Sequence, residues 1–266
     1  MLFQEILDEK YKALWPSFKK LYELSIANQT HEGDLLLVIL NAFHNPEVHD
    51  WDNLSEKLMP YMFGPNHEGH SEDTHTHFIG DYVRKNISPV SQKEHLENVK
   101  FSKDRIKEID KINGDESLSI QTEMLIYLKI WESNLFIKKF YQLATLVEGI
   151  PYNWHFKISL SNRDKSSTGT RDTIIRTKIR DKFETTIPEL YEVFKKSYKS
   201  QIRNSIAHSQ YSILGRHIHL NNHVAGDYNS QLKVVSFEEW TEIFHNTIAL
   251  HALYYEFSHR VNEDYG

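Results

Sequence analysis

The stretch SLSIQTEMLIYLKIWESNLFIKKFYQLATLV, Ser117 to Val147, decides the fold class. Its apolar side chains include Leu118, Met124, Leu125, Leu128, Trp131, Leu135, Phe136, Phe140, Leu143 and Leu146. They recur at helical spacing and cover a face too wide for a surface helix. Such an element has to be buried on a wide face, as inside a bundle. The spacing predicts one helix throughout, ended by Gly149 and Pro151.

The flanks are also mostly helical in pattern. Ser91 to Ile112 reads as a long charged helix with a thin apolar stripe at Leu96, Val99, Ile106 and Ile109, stopped by Asn113-Gly114. Leu2 to Ala27 carries Phe3, Ile6, Leu7, Leu14, Phe18, Leu21 and Leu24 at helical spacing, with Pro16 as a kink or a second start. The short apolar run LLLVILNAF, Leu35 to Phe43, suits a buried helix or a buried strand; its helical neighbours favour helix. Asp50 to Phe63 reads as a further helix, GPNHEGHSEDTHTHF as a polar turn-rich stretch, and Thr74 to Lys85 as a helix.

On the C-terminal side, Tyr152 to Ile158 reads as extended, SNRDKSSTGT as a polar loop, and Arg171 to Thr185 as a basic helix. A strongly helical segment follows from about Pro188 to Ser209. YSILGRHIHL and QLKVVSF then alternate as strands do, with the turn-rich NNHVAGDYNS between them. Ser236 with Glu239 forms a capping box that opens a last helix reaching about Val261. The expected fold is mainly α: a helical bundle with a small β-hairpin before the last helix. The expected division is a helical region over 1–115, of unassigned role, and a helical domain over 116–266.

Composition narrows the class. With 39% hydrophobic and 26% charged residues the chain suits a folded globular protein. No apolar run is long enough to span a bilayer, and the N-terminus does not resemble a secretory signal. There are no cysteines, which excludes disulfides and thiol chemistry and fits a cytoplasmic location. The net charge of −6 argues against a generic nucleic-acid coat. Between Arg163 and Arg216, however, twelve basic residues face six acidic ones, so this stretch carries about +6 and the remainder about −12. A local phosphate-facing surface fits that imbalance, as does a set of ordinary solvated helix charges.

Inside the basic stretch lies Arg203-Asn204-Ser205-Ile206-Ala207-His208, with Tyr211 close behind. Arginine offers a permanently charged planar fork for phosphate, asparagine a neutral donor and acceptor, and histidine a proton exchanged near neutral pH. Asn204 and His208, four apart, share a helix face, whereas Arg203 and His208 stand about 140° apart around an ideal helix. Lys195, Lys199 and Arg203 form a ladder at four-residue spacing beside Ser200, Asn204 and His208. This ladder tracks an RNA backbone on one reading and is a solvated face on the other.

The string IRNSIAHSQY late in a helical chain resembles the HEPN superfamily, whose signature is an arginine followed after four to six residues by a histidine. The resemblance covers about Ser117 to Gly266. It implies a metal-independent endoribonuclease that cuts RNA by attack of the ribose 2′-hydroxyl, needing no cofactor. Arg203, Asn204 and His208 are then the catalytic candidates, and Lys195, Lys199 and Tyr211 the substrate-binding ones. It also implies a homodimer whose two motifs build one composite cleft, and a toxin or antiphage-defence role with a possible antitoxin or regulatory partner. Many HEPN-like domains have lost catalysis, so a silent module binding a partner or nucleotide is the alternative.

Two histidine clusters stand outside the motif. His67, His70, His75 and His77 lie close together, but their spacing matches no zinc motif, so a metal-dependent hydrolase is the weakest of three readings. His217 and His219 fall on one face of a predicted strand, with His223 beyond. No P-loop, nucleophile elbow or His-Glu-x-x-His motif occurs.

Overall fold

In the structure, a computed structural model describing residues 3–30, 32–35, 38, 68–85, 105–153, 155–159, 166–223 and 231–265, the long apolar stretch forms two helices. Along the chain come α1 (Phe3–Asn28), α2 (Glu68–Lys85), α3 (Ile106–Glu132) and α4 (Asn134–Val147). Then follow β1 (Ile158–Ser159), β2 (Gly169–Thr170), α5 (Arg171–Thr173), a π-helix (Ile174–Arg180) and α6 (Phe183–Thr186). The remainder is α7 (Pro188–Ser197), α8 (Ser200–Ala207), β3 (Tyr211–Leu214), β4 (His217–Leu220), β5 (Val234–Ser236) and α9 (Phe237–Tyr265). The mainly helical architecture is as expected, with its small antiparallel sheet directly before the last helix.

Ser133 is what divides the predicted single helix. It takes an extended conformation (ψ 111°) and accepts a hydrogen bond from the Phe136 amide at 3.2 Å, capping α4. The opposite error occurs at Asn113-Gly114, where a stop is expected and α3 runs straight through. A helical glycine costs only about 1 kcal/mol relative to alanine, which the buried turns that follow offset. Likewise α2 begins at Glu68, inside the stretch expected as turns. The basic helix expected from Arg171 is one α-turn, then the π-helix burying Ile174, Ile175 and Ile179, then α6.

The expected hairpin is a three-stranded meander in the order β3-β4-β5. YSILGRHIHL folds back on itself, pairing Leu214 with His217 across Gly215-Arg216. Gly215 has φ 58°, the positive value that a two-residue hairpin loop with glycine first requires. The capping box forms as expected: the Ser236 amide donates to Glu239 Oε2 at 2.8 Å and the Glu239 amide to Ser236 Oγ at 3.1 Å.

The described buried apolar residues, Leu135 apart, form one cluster reaching from Leu7 to Val261. Phe18 of α1 meets Phe140 of α4 at 6.5 Å and Phe257 of α9 at 6.3 Å, all edge to face. Residues 115 and 116 both lie within α3, and α1 packs against C-terminal helices. Among the described residues no helix is long and apolar enough to cross a membrane. The helices expected at 50–63 and 91–104, the run 36–43 apart from Val38, and His67 lie outside the described residues.

Candidate functional site

The helix expected to run from Pro188 to Ser209 is broken at Tyr198-Lys199, where both residues are extended (ψ 114° and 106°). No glycine or proline marks the spot. The cause is Tyr127 of α3, whose fully buried hydroxyl donates to the Ser197 carbonyl and accepts from the Lys199 amide, both at 3.1 Å. One remote side chain thus satisfies two backbone groups at the break. Burial raises the Tyr127 phenol above its ordinary range and keeps it protonated. Tyr198 itself is buried against Trp131, ring centroids 5.0 Å apart. The four-residue ladder of Lys195, Lys199 and Arg203 therefore does not exist as one helix face.

The break aims α8 across the C-terminal end of α3. Arg203 lies with Nε 2.5 Å from Glu132 Oε1, and one terminal nitrogen donates to Asn204 Oδ1. The Nε has no aligned hydrogen bond, so its contact with Glu132 is an ion pair only. Arg171 reaches the same carboxylate, Nε to Oε2 at 3.2 Å. Its terminal nitrogens donate to the carbonyls of Trp131 (3.3 Å) and Glu132 (3.1 Å) and to Asn134 Oδ1 (3.0 Å). Arg171 is thereby a cap on the open carbonyls ending α3, where a cation is favoured.

These groups line a cleft of about 390 Å³, together with Ile158, Ser159, Thr170, Asp172, Tyr198 and Ser200. Burial, and then the neighbouring Arg203, lower Arg171 from its ordinary value, against the pull of Glu132. Burial raises the Tyr198 phenol, with Asp172 adding to the rise. Lys199, half-buried, is lowered by burial and then by the charges of Lys195 and Arg180. Lys199 thus still feels its cationic neighbours Lys195 and Arg180 although the ladder is interrupted, while Glu132 and Asp172 line the cleft beside Arg171 and Arg203.

His208 takes a different position. It ends α8 as its C-cap, exposed, with its amide donating to the Asn204 carbonyl at 3.0 Å. Ser209 follows at φ 53°, and the amides of Ser209 and Gln210 return to the carbonyls of Ile206 (3.2 Å) and Ser205 (2.8 Å). That is a Schellman motif with serine where glycine is usual. His208 is not among the residues lining the Arg203 cleft, and Asn204 orients Arg203 rather than His208. Tyr211 lines a separate depression with Gln121, Ser209, Ser212 and Ile213. Lys195 lies 3.5 Å from Glu192 and over the Tyr191 ring.

Residue reading missed Glu132 and Arg171, which share the cleft with Arg203 from 71 and 32 positions upstream; only Arg171's place in a basic stretch hinted at it. His217 and His219 do share a strand face, ring centroids 6.5 Å apart. Among the described residues, no group of three or more histidine, aspartate or glutamate side chains is placed to hold a metal ion. No family model matches the chain, and no curated protein or solved structure matches it either.

Proposed function

We propose that the chain is a metal-independent endoribonuclease of the HEPN kind, acting in the cytoplasm as a toxin or antiphage-defence effector and working as a homodimer. The observation that supports this reading is the division of labour along α8. Arg203, oriented by Asn204, faces a cleft, while His208 stands exposed at the helix end. An exposed histidine at a helix terminus is accessible to a second copy of the same surface across a twofold axis.

In the reaction, the ribose 2′-oxygen attacks phosphorus as a histidine takes its proton. The P–O5′ bond breaks and the 5′-oxygen receives a proton from a second histidine, leaving a 2′,3′-cyclic phosphate and a 5′-hydroxyl. Arg203 stabilises the charge that builds on the phosphorane oxygens. His208 and the partner subunit's His208 fill the two proton-transfer roles. An antitoxin or other regulatory partner would act by covering this surface.

RNA cleavage in chelator tests the reading. Wild type produces fresh 5′-hydroxyl ends, and His208→Ala loses about 10²–10⁴-fold in rate, the usual worth of a proton-transfer group. Arg203→Ala falls comparably. Equal cleavage by all three proteins overturns the assignment. A second reading, a silent module that binds a partner or nucleotide, draws on the commitment of Arg203 to Glu132 within its own chain. No cleavage with retained ligand or partner binding would favour it.

A further inference from the structure

We infer that the cleft between the end of α3 and α8 is a binding site for a single phosphate group, and that Glu132 occupies it in the ligand-free protein as an internal competitor. The inference rests on the ribonuclease reading and deepens it: it shares Arg203 with that reading and adds Arg171 and Glu132. Two guanidinium groups, carried by separate elements, meet on one carboxylate inside a cleft of about 390 Å³. The Arg171 and Arg203 side chains are 15% and 20% exposed, whereas Glu132 is 40% exposed. The cations are therefore fixed in the wall while the anion between them stays partly in water.

The quality of each contact shows which is replaceable. Arg171 is anchored by three hydrogen bonds to Trp131, Glu132 and Asn134 that do not involve the Glu132 carboxylate. Arg203 has its Nε against Glu132 without an aligned hydrogen bond, and among the described residues its side chain donates a hydrogen bond to Asn204 alone. A partly exposed ion pair of poor alignment contributes little to stability. A phosphate offers the same planar pair of oxygens as the carboxylate, plus further acceptors for neighbouring donors. Those donors stand in the cleft as Ser159, Ser200 and the Tyr198 phenol, the last kept protonated by burial.

Charge sets the limit on the ligand. Arg171 and Arg203 are balanced by Glu132 and by Asp172, which also lines the cleft and pairs with Arg176 at 3.4 Å. With Glu132 in place the cleft is close to neutral, so an incoming phosphate must first swing it aside. The volume is at the small end of ligand sites, which suits one nucleotide rather than a folded RNA. A phosphodiester of single-stranded RNA and a free mononucleotide both present this group.

The experiment measures binding without cleavage, by fluorescence anisotropy of a 2′-O-methyl pentaribonucleotide and by calorimetry of a nucleoside 5′-monophosphate, in chelator at fixed salt. Glu132→Gln should bind at least one probe roughly tenfold tighter than wild type, because removing the competitor frees charged donors. Ser200→Asp introduces a carboxylate at the first position of α8, where helices tolerate it, and should abolish binding. Tightening for the oligonucleotide only identifies a chain phosphate; tightening for the mononucleotide only identifies a free nucleotide. Unchanged or weaker binding by a folded Glu132→Gln, or Ser200→Asp binding like wild type, overturns the proposal. Should Glu132→Gln fail to fold, Ser200→Asp alone decides. Tightened binding in a chain that cleaves no RNA leaves the cleft assigned and removes the nuclease reading; cleavage with no Glu132→Gln effect does the reverse.

Discussion

Replacing Tyr127 with phenylalanine deletes one oxygen and tests how the motif helix is held. That oxygen makes two hydrogen bonds of 3.1 Å, to the Ser197 carbonyl and from the Lys199 amide. The phenyl ring refills the same space, so no cavity forms and the loss is confined to polar groups. Ser197 is fully buried, so its carbonyl is left without a partner; the half-buried Lys199 amide recovers part of its loss from water. An unsatisfied buried group costs about 1–3 kcal/mol and an ordinary hydrogen bond about 0.5–1.5 kcal/mol, giving roughly 2–4 kcal/mol in all. In a chain of this size that lowers Tm by roughly 4–16 °C. Denaturant melts at constant m-value give the free energy, and amide exchange at Lys199 should accelerate beyond the global change. Tyr191→Phe is the control, since its hydroxyl makes no hydrogen bond among the described residues and should stay within about 0.5 kcal/mol. A Tyr127→Phe protein as stable as that control would refute the account of the helix break.

Ser209→Gly should stabilise by about 1 kcal/mol in the same melts, because a non-glycine residue at φ 53° is strained and glycine is not; a destabilised variant would mean the serine side chain matters more than its backbone. Glu123, buried between Tyr82 and Trp240, has its carboxyl pushed up to about 7 by burial, against hydrogen bonds from both rings. Folding therefore favours its protonated form: that stability is full below 4.5 and about 3 kcal/mol of it is lost as pH rises through 7. His251 runs the other way, lowered to about 4 by burial and by His75, so its stability is full above 6.5 and is lost as pH falls toward 4. The two slopes oppose each other between pH 4.5 and 6.5, so wild type should melt nearly flat there while Glu123→Gln exposes the acid-side loss from His251. Identical pH profiles for wild type and Glu123→Gln would reject the buried-carboxylate assignment.

What could be read from residues alone was chemistry acting within a few positions. The Ser236 and Glu239 box is legible because both partners lie within one helical turn. The apolar periodicity of α4 and α9 is legible because burial acts on every turn of a helix at once. The breaks at Ser133 and at Tyr198-Lys199 were not, because neither site carries a breaker residue. The second is stabilised by a hydroxyl some seventy positions upstream, which no local propensity reports. The candidate site divides along the same line. Arg203, Asn204 and His208 are visible as a string, and that string suggests the kind of chemistry. Its electrostatic state is set by Glu132, delivered only because α3 ends at Ser133, and by Arg171, delivered only because it caps that end. A motif reading sees a free arginine ready for phosphate; the folded chain presents one already holding a carboxylate. Whether that carboxylate yields to a phosphate is therefore a property of the α3–α4 break as much as of the motif, and substitutions at Ser133 should alter ligand affinity without touching the motif itself.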